Sequence, residues 1–166
     1  MVMPMAEAYL DIETTGLSPY LDEITVIGIY LVTDDAPRFV QLIGEEITRE
    51  NLLEALDGAD TIFTYNGKRF DIPFIRDRLD LNLETEFRHH DLMYDCWNNN
   101  LYGGFKSVER QLGIPRLLTG VSGFEAVVLW WKYRSAGDAE ALDLLLEYNR
   151  EDVVNLRALR QILHKC

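Results

Sequence analysis

The segment Ile-Thr-Val-Ile-Gly-Ile-Tyr-Leu-Val at residues 24–32 constrains the fold most. It has strand length, and a run so rich in β-branched and apolar side chains suits a central strand buried on both faces. Two further strand patterns flank it at short range. Residues 6–12 place small and apolar side chains ahead of Asp11 and then break at Thr14-Thr15-Gly16, while residues 38–43 follow the turn residues Asp34, Asp35 and Pro37. Short connections predict that these three strands form an antiparallel meander.

Downstream the pattern alternates. Thr48 is placed to cap a helix whose apolar face is Leu52, Leu53 and Leu56 and which Gly58 can end. Residues 61–65 read as a fourth strand, 71–79 as a short helix with Pro73 in its first turn, and 87–90 as a fifth strand. Strands and helices in alternation predict parallel crossovers. Residues 107–112 read as a helix stopped by Gly113 and Pro115, and Ser122 with Glu125 forms a capping box that opens a helix through Trp131. From about Asp138 onward, Leu142, Leu145, Leu146, Val153, Leu156, Leu159 and Leu163 recur at helical spacing, with a break or kink expected near Asn149. The expected class is α/β, a five-stranded mixed sheet flanked by helices. No linker or repeat divides residues 1–166, so one domain is expected.

Composition narrows the function. A net charge of −12 argues against gripping duplex nucleic acid through a broad basic face. It is compatible with a carboxylate cluster that binds divalent cations, because bound metal reverses the sign seen by a phosphate. No apolar run approaches the roughly 20 residues of a membrane helix, and acidic residues appear almost at once, at Glu7, Asp11 and Glu13, where a secretory signal would be apolar. A cytoplasmic protein without membrane association is expected. Cys96 and Cys166 are too few and too isolated for a disulfide framework or a metal-ligand spacing with His89, His90 or His164, so reduced thiols are expected.

Three polar constellations carry the chemistry. In Asp11-Ile12-Glu13, strand alternation points both carboxylates to one side of the sheet, where they repel unless exposed or bridged by a hard cation such as Mg²⁺. In Tyr65-Asn66-Gly67-Lys68-Arg69-Phe70-Asp71, Asn-Gly makes a tight turn and Asp71 opens a helix, as an N-cap or as a further ligand. In Tyr148-Asn149-Arg150-Glu151-Asp152, a phenol and a carboxylate four apart share one helical face. Each alone is better explained by solvated surface or capping. Their co-occurrence, in this order, is the signal.

With these motifs the chain resembles the DEDD exonuclease superfamily of the ribonuclease-H-like, three-layer fold, which includes the proofreading domains of DNA polymerases. The resemblance covers nearly the whole chain. Asp11 and Glu13 match the first motif, Asn66 with Phe70-Asp71 the second, and Tyr148 with Asp152 the third. Tyr148 four before Asp152 matches the tyrosine branch, whereas the histidine branch would place His where this chain has Glu147. Asn66 lies one residue further from Phe70-Asp71 than in the commonest bacterial form and matches the spacing of family-B polymerases.

The resemblance implies a 3′-5′ exonuclease using two divalent cations, Mg²⁺ or Mn²⁺, on the 3′ end of single-stranded DNA or RNA. Asp11, Glu13, Asp71 and Asp152 would be the metal ligands and, with Tyr148, the catalytic set. Asp11 would bridge both ions, Glu13 and Asp152 would complete the site that activates water, and Asp71 would hold the second ion partly through water. Tyr148 would orient the water, since a phenol with a pKa of about 10 is a poor base at neutral pH. Thr15, Leu17, Asn66, Phe70 and Lys106 would contact the substrate, although Leu17 and Phe70 equally suit the core. With no polymerase or helicase segment in these residues, a partner protein that delivers the strand fits the reading. The rival reading is a nucleic-acid-binding or regulatory module that kept the scaffold and lost catalysis. It is disfavoured because all four acids and the tyrosine are present.

Other candidates have plainer explanations. His89 and His90 are adjacent on a strand, point to opposite faces and cannot readily share an ion, and Asp91 suits a helix cap. Trp130 or Trp131 is expected in the core, with Trp97 and Tyr102 also more plausible there than as base-stacking rings. Lys68, Arg69 and Arg110 suit solvated surface.

Overall fold

The computed structural model describes residues 6–165. Strands β1 (Glu7–Thr14), β2 (Ile24–Val32) and β3 (Arg38–Ile43) form the expected meander, with β1 antiparallel to β2 and β2 antiparallel to β3. Strands β4 (Thr61–Thr64) and β5 (Arg88–Asp91) extend the sheet in parallel on the other side of β1, giving the order β3-β2-β1-β4-β5. The helices are α1 (Arg49–Ala55), α2 (Asp71–Leu79), α3 (Leu83–Glu86), α4 (Leu92–Asn98), α5 (Phe105–Leu112), α6 (Gly123–Ala136) and α7 (Ala139–Lys165). A 3₁₀ turn, Gly44–Glu46, follows β3.

Side-chain alternation along β1 sorts the molecule into layers. Ala8, Leu10 and Ile12 enter a core shared with Leu52 of α1, Ile72 and Ile75 of α2 and Leu83 of α3. Tyr9 points the other way, into a core with Phe63, Leu92 of α4, Val108 of α5 and Val153, Leu156 and Leu159 of α7. Each fully buried Leu, Ile or Phe contributes on the order of 2 kcal/mol of transfer free energy, so both faces are driven onto the sheet. A third cluster joins Val26 to Ala126 and Trp130 of α6 and to Leu145 and Tyr148 of α7. The alternation that buries Tyr9 carries Asp11 and Glu13 to the α7 face.

Local signals account for most boundaries. Thr48 accepts a hydrogen bond from the Asn51 amide, and Ser122 and Glu125 form the capping box. The structure also departs from expectation. Helices α3 and α4 were not foreseen, although Asn82 and Asp91 cap them through the amides of Glu84 and Met93. Helix α6 continues past Trp131 to Ala136, where Gly137 in a left-handed conformation stops it. Helix α7 runs unbroken through Asn149, because that side chain is bonded to other elements instead of to its own backbone.

Asp71 is the first helical residue of α2 and Phe70 stands at the N-cap without a side-chain bond, so Asp71 does not cap the helix. Trp130 is buried and Trp131 half-exposed. The His89 ring lies within hydrogen-bond distance of Thr64 Oγ1 (2.8 Å) and Glu84 (3.1 Å), while His90 pairs with Asp95, so the two share no ligand. Cys96 is a buried free thiol, and Cys166 lies outside the described residues. Among the described residues, no helix is long and apolar enough to cross a membrane.

Candidate active site

Asp11 and Glu13 lie near the C-terminal end of β1, just before the pairing with β2 shifts register between Glu13 and Thr14. Across the face stands α7, whose i, i+4 spacing brings Tyr148 and Asp152 to the same side. Carboxylate oxygens of Asp11, Glu13 and Asp152 lie within 4.8 Å of one another, the one such group found among the described residues. Asp71 approaches from the start of α2, 3% exposed, and accepts a hydrogen bond from the Ile12 amide at 3.1 Å, between the two β1 acids. It adjoins the trio without being part of it.

Three carboxylates held this close cannot all ionise without cost. Burial and the neighbouring acids raise the pKa values of Asp11 and Glu13 well above the carboxylate range. Burial lifts Asp71 to about 7 despite the Ile12 amide, and lifts Asp152 to about 6 despite Arg116, whose Nη2 lies 2.5 Å from Asp152 Oδ1. Burial and the same acids also push the Tyr148 phenol upward, so it stays protonated at any working pH. The donor set therefore fits a hard divalent cation: preassembled oxygen ligands, more numerous than the cations Arg116 and Lys106 that face them.

These shifts fix a sign for pH dependence. A carboxyl whose folded pKa is raised favours folding below its unfolded value, and that contribution is lost as pH rises through the folded value. For Asp71 and Asp152 the window runs from about 4 to about 7. A divalent cation competes with the protons and should restore the loss only where the acids are ionised. Saturating Mg²⁺ or Mn²⁺ is expected to raise Tm by roughly 5–10 °C at pH 8 and by about 1 °C or less at pH 5. Differential scanning fluorimetry at the two pH values measures this, and equal gains would contradict it.

The cleft, about 290 Å³, is lined by Asp11, Tyr148 and Asp152 together with Tyr65, Gly104, Phe105 and Lys106. Lys106 Nζ donates to the Tyr148 hydroxyl and sits 4.3 Å from its ring centroid. Thr15 folds inward: its Oγ1 accepts from the Glu23 amide at 2.9 Å, closing the loop after β1. That loop presents Leu17, 84% exposed, together with the exposed Tyr20 and Leu21, so Leu17 is not core. Phe70 is half-buried against the first core and edge-on to Phe74. Asn66 takes a left-handed backbone at φ 61°, and its amide donates to Asp91 at 2.8 Å.

Several positioning residues were not foreseen. Asp91 also accepts from the Lys68 amide at 3.1 Å, so it holds the turn that leads to Asp71. Arg116, from the segment between α5 and α6, joins Asp152 to the buried Glu109 at 2.7 Å. Glu151 accepts from the Leu117 and Leu118 amides, both at 2.7 Å, tying that segment to α7. Asn149, fully buried, donates toward Asp11. These partners lie far apart in sequence and no spacing announces them.

The structure is an α/β fold whose five-stranded mixed sheet carries an acidic cleft at the end of its central strand, faced by the last helix, with oxygen ligands that could hold a metal ion. The RNase_H superfamily is matched over residues 8–164, and the chain belongs to that family, with its ribonuclease-H-like fold. It is 31% identical over 177 residues to protein MJ0365 of Methanocaldococcus jannaschii, covering 98% of this chain and 97% of that one. It is 29% identical over 167 residues to protein YprB of Bacillus subtilis, covering 91% of this chain but only 40% of YprB. The family B DNA polymerase of Pyrobaculum calidifontis shares the fold with a TM-score of 0.73 at 17% identity, over 96% of this chain and 24% of that chain. NrnC of Brucella melitensis bound to pGG does so with a TM-score of 0.64 at 22% identity, over 96% and 72%, and NrnC is also known with bound Mg²⁺.

Proposed function

We propose that this chain is a single-domain, cytoplasmic 3′-5′ exonuclease of the tyrosine branch of the DEDD superfamily, removing nucleoside 5′-monophosphates from single-stranded DNA or RNA. The observation that carries this reading is the convergence of Asp11, Glu13 and Asp152 within 4.8 Å, with Asp71 alongside. Membership in the RNase_H superfamily and the fold shared with an NrnC structure that holds Mg²⁺ support it. Asp11, Glu13 and Asp152 would hold one divalent cation and Asp71, with Asp11, a second. Such ions supply Lewis acidity, lowering the pKa of water and offsetting charge on the phosphate.

The chain's own residues do the rest. Tyr148 cannot act as a base, because its phenol remains protonated. Since Lys106 donates to the phenol oxygen, the Tyr148 O–H is left to point into the cleft, where it orients the attacking water. Lys106 also brings positive charge to the cleft wall, suited to a phosphate oxygen. Leu17, exposed at the tip of its loop, would wedge against the terminal base, with Phe70 supporting the next and Thr15 and Asn66 shaping the loops that carry them. Tyr148→Phe is expected to lower kcat by about 10²-fold while leaving Mn²⁺ affinity within about twofold. An unchanged kcat would remove Tyr148 from the mechanism.

A 5′-labelled single strand incubated with Mg²⁺ or Mn²⁺ tests the function. It should shorten one nucleotide at a time from the 3′ end, stop when that end is blocked, and remain intact with Asp152→Asn. Paired DNA and RNA strands give the sugar preference. Internal cuts in a 3′-blocked strand would make the protein an endonuclease, and no shortening under either metal would leave a binding module.

A further inference from the structure

We infer that Gln41 and Asn149 form an amide relay from the β3 edge that orients the Asp11 carboxylate, making Asn149 a positioning residue for the metal site. This rests on the reading of Asp11 as a metal ligand. The polarity of the relay is fixed at its outer end. Gln41 Nε2 lies 2.9 Å from the Leu146 carbonyl, which can only accept, so the nitrogen must be the donor there. The same nitrogen lies 2.9 Å from Asn149 Oδ1, which accepts its second hydrogen. The Asn149 Nδ2 group is thereby committed to face Asp11, 3.2 Å from its carbonyl oxygen and 3.4 Å from Oδ2.

The backbone is shaped to admit this arrangement. Gly28 pairs directly with Asp11 across β1 and β2, and a Cβ there would stand 2.2 Å from Asn149 Oδ1 and 2.8 Å from Val153 Cγ2. The glycine therefore opens the β2 wall for the Asn149 side chain. A fully buried amide with every polar atom partnered is costly to misplace. The donor holds Asp11 Oδ2 by a neutral contact that a cation need not displace, since the carboxylate has a second oxygen.

Gln41→Glu inverts the relay at nearly constant size. A carboxylate at 41 accepts instead of donating, so Asn149 must turn its amide to satisfy it and present an oxygen to Asp11. Gln41→Met removes the donor without reversal and serves as the graded control. Gln41 is partly exposed on an edge strand, so neither change opens the core. Mn²⁺ titration calorimetry of the whole chain should give a Kd raised about 10–100-fold in Gln41→Glu, with Gln41→Met between it and the unsubstituted protein. Asn149→Leu should match Gln41→Glu, and circular dichroism should show all three folded. Affinities within twofold for Gln41→Glu and Gln41→Met would overturn the relay. Failure of the unsubstituted protein to bind Mn²⁺ would instead overturn the metal-site reading beneath it.

Discussion

Asp11→Asn is expected to abolish metal-dependent hydrolysis, by about 10³-fold or more, and at the same time to raise the Tm of the metal-free protein by roughly 3–6 °C. The two effects have one cause. Asp11 is packed against Asp152 and Glu13, and burial with their charge drives its pKa up. Replacing it by a neutral isostere removes repulsion on the order of 1–2 kcal/mol, and would also remove the carboxylate proposed to serve both cation positions. Thermal scans with and without Mn²⁺ check both halves. A variant that is destabilised without metal, or still gains Tm from Mn²⁺ as the unsubstituted protein does, would contradict the account.

Arg116→Ala is expected to have the largest cost in stability, about 3–5 kcal/mol, lowering Tm by roughly 10 °C. The Arg116 side chain is 8% exposed and Glu109 is 2% exposed, paired at 2.7 Å, and the same guanidinium meets Asp152. Removing it leaves Glu109 buried with only Asn155 as partner and leaves Lys106 alone to offset the repulsion of Asp152 by Asp11 and Glu13. Arg116→Met combined with Glu109→Leu should recover much of the loss, because a buried pair exchanged for apolar groups of similar volume is often neutral. Urea denaturation of the single and double variants decides this. A loss under about 1 kcal/mol in Arg116→Ala would show the pair to be incidental.

Local chemistry made most of the scaffold legible. The bounds of β2, β3 and α2 follow from a β-branched run, a turn at Asp34-Asp35-Pro37 and the proline in a first helical turn. Strand alternation at Asp11 and Glu13 and helical spacing at Tyr148 and Asp152 foretold which side chains could share a face. What could not be read was anything settled by the meeting of distant segments. Asp71 taken alone suited a cap as well as a ligand, and only the meeting of α2 with β1 shows its carboxylate accepting from the Ile12 amide. Asn149 looked like a break because asparagine weakens helices, yet its side chain is consumed by β1 and β3 and the helix continues. Arg116 carried no sequence signal at all, since its partners lie 7 and 36 residues away. The four-residue α3 is too short to show helical periodicity, and α4 was signalled only by its cap at Asp91.

Everything proposed depends on divalent cations residing between β1 and α7. Crystals grown in Mn²⁺ and measured near its absorption edge test this directly. Anomalous density is predicted among Asp11, Glu13 and Asp152, with a second peak toward Asp71. Density only elsewhere on the molecule, or none at millimolar Mn²⁺ and pH 8, would contradict it.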